Sequence, residues 1–98
     1  MKHPIHVVQL ELKPVPGAGS ADEATGAYAN VYIQAINAHA AIAQARDEVE
    51  SAGWLVEEVT ESNVVTADSF VGGEGLDYYE QCQIDGVVVV LHTWRDEQ

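Results

Sequence analysis

His92 is the side chain best suited to moving a proton near neutral pH. It stands in the alternating run Val88, Val90, His92, Trp94, whose members share one side of an expected strand. A general base there needs a carboxylate or phenol in reach, and Glu57, Glu58 and Tyr32 on other expected strands are the candidates. A lone strand histidine is more often packed with its hydrogen bond satisfied. Cys82 falls on the inward stripe of an expected helix, which makes it a buried, inert thiol. His3 and His6 lie three residues apart in an extended segment and point to opposite sides, poor geometry for one metal, and His39 is far along the chain. No metal or other cofactor is expected. Gly72-Gly73-Glu74-Gly75 precedes a helix and could cradle an anion. Glu74 and Asp77 already place negative charge at that helix start, and no P-loop lysine follows.

The strongest binding signal is a two-faced strand over 27–36. Ala29, Val31, Ile33 and Ala35 make an apolar side, and Tyr28, Asn30, Tyr32 and Gln34 a polar, aromatic one. Helices must cover the apolar side. The other side then stays open, and His92 and Trp94 join it, with Trp54 or Leu55 beside them. Tyr28, Asn30, Tyr32, Gln34, His92 and Trp94 are therefore the candidate binding residues. Rings with polar tips suit a surface half buried in a partner, and self-association through this face is the expected use.

The elements that position these residues follow from periodicity. Ile5, Val7 and Gln9 alternate with His6, Val8, Leu10 and Leu12, a strand over 5–12. Prolines 14 and 16 with Gly17 and Gly19 end it, and 13–26 reads as a flexible loop. Asn37 is a good N-cap and Gly53 a good C-terminal stop for a helix. Between them Ala38, Ile42, Ala45, Val49 and Ala52 form the packing stripe. Trp54 opens a third strand that bends at Glu61-Ser62. A second helix over 76–85 turns Leu76, Tyr79 and Cys82 inward and ends at Gly86. Val87 to Leu91 are apolar on both sides, as in a central strand, and 95–98 is a polar tail. The order ββαβαβ gives an α+β domain: a two-layer α/β sandwich related to the ferredoxin-like folds, with both helices on one face.

Ninety-eight residues make one domain with one modest core. Sixteen acidic residues against four basic ones leave a net charge of -12. That field repels phosphate backbones and anionic lipid, so neither nucleic acid nor membrane is an expected partner. It attracts basic protein surfaces. One cysteine permits no internal disulfide, no apolar run is long enough to span a bilayer, and the N-terminus lacks a signal-peptide core, which points to the cytoplasm.

The runs Ala27-Tyr28-Ala29-Asn30-Val31-Tyr32, Ala52-Gly53-Trp54, Tyr78-Tyr79-Glu80-Gln81, Asp85-Gly86 and His92-Thr93-Trp94 resemble those of a family of small bacterial proteins with no assigned activity. The resemblance covers about 26–94 and implies domain limits but no chemistry. Three functional readings follow, in order. The first is a non-enzymatic module, a homodimer or a ligand binder on its open sheet face. The second is an acidic adaptor or inhibitor of a basic protein. The third is a small acid-base enzyme using His92 and a carboxylate.

Overall fold

A computed structural model describes residues 3–14, 26–69 and 73–94. The elements are β1 (Ile5–Pro14), β2 (Gly26–Gln34), α1 (Ala38–Ser51), β3 (Trp54–Val65), α2 (Glu74–Asp85) and β4 (Val87–Trp94), with a 3-10 turn at Ala67–Ser69. Most of the expected 13–26 loop and the whole 95–98 tail lie outside the described residues, although Lys13 and Pro14 belong to β1 and Gly26 to β2.

The strands form one antiparallel sheet in the order β3-β1-β2-β4. β2 and β3 both run against β1, so they are parallel to each other with β1 between them, and α1 makes that crossover. β4 runs against β2, hence also against β3. α2 therefore joins antiparallel strands at opposite edges of the sheet. Crossover handedness constrains only connections between parallel strands, so it fixes nothing about the face α2 takes.

α1 covers one face. The Asn37 side chain accepts a hydrogen bond from the Ala40 N–H at 2.8 Å, satisfying one of the donors a helix start leaves free. Gly53, at φ 96°, turns the chain after the helix, where a side chain would be strained. Ala41, Ala45 and Val49 are buried against Val8, Leu10 and Leu12 of β1, Ala27, Ala29, Val31 and Ile33 of β2, and Trp54 of β3. The packing stripe is shifted from the expected one: Ala38 and Ala52 are exposed and Ala41 takes their place.

α2 packs on the opposite face, which corrects the expected two-layer arrangement. Cys82 is buried with Ile5 and Tyr32, and Val7, Val65, Tyr78, Tyr79, Val88 and Val90 pack around them. Ile5, Val7 and Tyr32 have the opposite strand parity to the residues under α1. The architecture is thus three layers, helix, sheet, helix.

The edges also differ from expectation. β3 is one strand without a break at Glu61-Ser62. Its register against β1 shifts twice, between Gln9 and Leu10 and between Glu11 and Leu12, leaving Thr60 and Glu57 as the extra, bulged residues. The Thr60 hydroxyl donates to Gln9 Oε1 at 2.9 Å and lies 3.2 Å from the Gln9 carbonyl oxygen, holding the first bulge. β4, which reads as a central strand, is the other edge.

Candidate functional site

Antiparallel pairing places the α2 face in rungs that cross the sheet. One rung runs Asn63, Val7, Tyr32, Val88 from β3 to β4, the next Glu61, Gln9, Asn30, Val90, and the next Glu58, Glu11, Tyr28, His92. Residues directly opposite on paired strands share a face with Cβ atoms about 4.5–5.5 Å apart. Tyr28, Asn30, Tyr32, Gln34 and His92 do share this face, as alternation requires. They do not share one environment.

Tyr32 and Gln34 lie under α2. Tyr32 is 8% exposed, and its ring meets Tyr78 at a centroid distance of 5.7 Å and a tilt of 54°. Burial raises the pKa of its phenol, with Tyr78 adding to the effect. Gln34 Nε2 donates to the carbonyl oxygens of Cys82 at 3.1 Å and Gln83 at 3.3 Å. Gln34 thus satisfies carbonyls in the last turn of α2 and docks that helix on β2. Tyr32 is therefore buried beneath the helix, and Gln34 is half-buried against its last turn, so the expected face is not open along its whole length. Cys82 is fully buried, and burial pushes its thiol up to about 11 from an ordinary 9.0. At neutral pH the thiolate needed for nucleophilic or redox chemistry is therefore scarce.

Tyr28, Asn30 and His92 lie outside the footprint of α2. Tyr28 is 41% exposed, Asn30 half-buried and His92 exposed. Trp94 ends β4 opposite Gly26, and its side chain lies outside the described residues. Four more residues complete the surface: Gln9 and Glu11 from β1, and, from β3, Glu61 and Glu58, which the sequence singles out only as a partner for His92. The parity of Ile5, Val7 and Gln9 extends to Glu11 and is the signal that finds it. Glu58 and Glu61 depend on the two bulges, which simple alternation does not show.

Glu11 and Glu58 are directly opposite each other, a like-charge pair that weakens the sheet. Among the described residues the basic Lys and Arg side chains are Lys13, on this face, and Arg46, exposed on α1. The Lys13 ammonium is paired with Glu57 Oε1 at 2.7 Å. The hydrogen bond and charge of Glu57 hold its pKa above the ordinary value. His92 and Glu58 sit on opposite edges of the sheet with two strands between them, about 14 Å apart at the usual strand spacing. That separation removes direct proton exchange between His92 and Glu58, one of the three partners named for His92. Trp54 faces α1 and is buried, whereas Leu55 is exposed beside Lys13.

The α1 face holds a second polar feature. His6 is 2% exposed, and neither Nδ1 nor Nε2 has a hydrogen-bond partner among the described residues; Ser62 Oγ is likewise buried and unpartnered. Val8 is opposite Ser62 and His6 opposite Val64, so the two polar groups are diagonal neighbours on one face. Burying an unsatisfied polar group costs about 1–3 kcal/mol. His6→Leu is therefore expected to stabilise the fold by roughly 1 kcal/mol net of imperfect shape filling. Urea unfolding checks this, and a lower midpoint for the variant would show that the imidazole has a stabilising partner. Among the described residues no three His, Cys, Asp or Glu side chains gather as a metal site, and no helix is long and apolar enough to cross a membrane.

No family model, curated protein or solved structure matches this chain. What the surface can do is read from its own residues. It is an aromatic and acidic half-sheet, walled at one end by α2, that offers carboxylates and a phenol ring to a cation.

Proposed function

We propose that this chain is a non-enzymatic binding module whose half-sheet beside α2 receives a cationic segment of a protein partner. The observation that carries this is the rung Glu58, Glu11, Tyr28, His92. A lysine or arginine laid across it neutralises two opposed carboxylates and reaches the face of an exposed ring, a cation–π geometry. The net charge of -12 steers such a partner in. Face-to-face self-association is the weaker use of this surface, because it sets each copy's carboxylates against the other's. The split crossover β2-α1-β3 around β1 supports a relation to ferredoxin-like folds, although α2 lies on the face opposite α1. Such folds host many unrelated activities, so the relation itself names none. The lone, buried thiol of Cys82 suits the reducing cytoplasm.

Calorimetric titration with a synthetic lysine-rich peptide tests the reading. Replacing both Glu11 and Glu58 by glutamine is expected to weaken binding about tenfold, a loss of roughly 1.4 kcal/mol. Replacing Asp47 and Glu50 on the outer side of α1 by their amides removes the same charge and is expected to change affinity little. Equal losses in the two double variants would reduce the effect to net charge and overturn the assignment of the half-sheet.

A further inference from the structure

We propose that a second copy of this chain pairs with the edge of β4 that is unpaired among the described residues, joining two sheets into one eight-stranded antiparallel sheet. This inference uses a different edge from the cation-binding face and does not rest on it. A sheet edge presents unpaired N–H and C=O groups, and proteins normally guard it with charge, bulges or proline. β3, one edge, is guarded: it carries Glu57, Glu58 and Glu61 and two bulges. β4, the other, reads Val-Val-Val-Val-Leu-His-Thr-Trp, with no acidic or basic residue beyond one histidine, no proline, and an unbroken register against β2. In a chain of net charge -12 it is the edge strand along which two copies meet with less repulsion.

The backbone geometry is equally specific. Gln34 N–H donates to the Gly86 carbonyl at 3.0 Å, which makes that pair a hydrogen-bonded one. Such pairs alternate along an antiparallel ladder. Val88, Val90 and His92 therefore direct their backbone groups at β2, while Val87, Val89, Leu91 and Thr93 direct theirs outward. Val89 and Leu91 are also large apolar residues left exposed, at 43% and 40%, on the α1 face. A two-fold axis at Val90 pairs Val89 with Leu91 of the partner subunit and engages all four outward residues, forming about eight hydrogen bonds. β4 then becomes a central strand, and its apolar character on both sides has a cause. Both copies of α1 fall on one side of the joined sheet and both copies of α2 on the other.

Sedimentation over a concentration series, with residue-resolved amide exchange, tests this. The wild type is expected to dimerise. The Val89 and Leu91 amides should exchange freely in the monomer and become protected as concentration rises, while Val88 and Val90 stay protected throughout. Val89→Pro removes an outward N–H and spares the β2 ladder; Leu91→Lys guards the edge with charge and serves if the proline variant fails to fold. Each folded variant should raise the dimer dissociation constant at least about tenfold. A wild type that stays monomeric near millimolar concentration overturns the proposal. So does a dimer that survives Leu91→Lys, or one lost on Tyr28→Glu instead.

Discussion

Tyr32→Ala is expected to destabilise the protein by about 3–5 kcal/mol, the range for truncating a large buried aromatic. Tyr32 lies at the junction of β2 with α2, packed with Ile5, Cys82 and the ring of Tyr78. A cavity at that contact would loosen α2 as well as lower the global midpoint. Tyr28→Ala, four residues earlier on the same side of the same strand, is expected to cost under about 1 kcal/mol, because its ring is 41% exposed. Chemical denaturation of both variants measures the contrast. Equal, small losses would mean that α2 does not cover Tyr32 and that the whole face is open.

The second large effect concerns the α1 layer. Ala45 is fully buried at the centre of the helix, in the same core cluster as Ala29 and Val31 of the sheet. Ala45→Leu forces several extra carbons into that contact and is expected to cost about 1–3 kcal/mol, with a visible fall in melting temperature. Gln44→Leu, one position along and exposed, is expected to stay within about 0.5 kcal/mol of wild type. Thermal melts that coincide for the two variants would rule out this helix register.

These contrasts mark where alternation and periodicity suffice and where they stop. The faces of β1 and β2 were legible because every second residue changes character, and Asn37 and Gly53 bracket α1 through cap chemistry alone. The face taken by α2 was not legible. Tyr28, Asn30, Tyr32 and Gln34 form one polar series by sequence, yet α2 shelters Tyr32, uses Gln34 as a cap, and leaves Tyr28 and Asn30 outside. That division depends on where the β3-to-β4 connection crosses the sheet, which no local pattern encodes. The place of β4 misleads for a different reason: its apolar run is what a central strand carries, whereas among the described residues it pairs with β2 alone. In β3 the bulges at Thr60 and Glu57 break the two-residue period, so Glu58 and Glu61 reach the site by an irregularity that alternation cannot show.

A cation-binding role for the half-sheet beside α2 is tested most directly by amide chemical shifts during titration with the lysine-rich peptide. The expected result is saturable shifts at Glu11, Tyr28, Asn30, Glu58 and His92 that weaken as salt rises, with the exposed acidic side of α1 at Asp47 and Glu50 unmoved. Shifts confined to α1, or spread evenly over all acidic positions, would contradict the account.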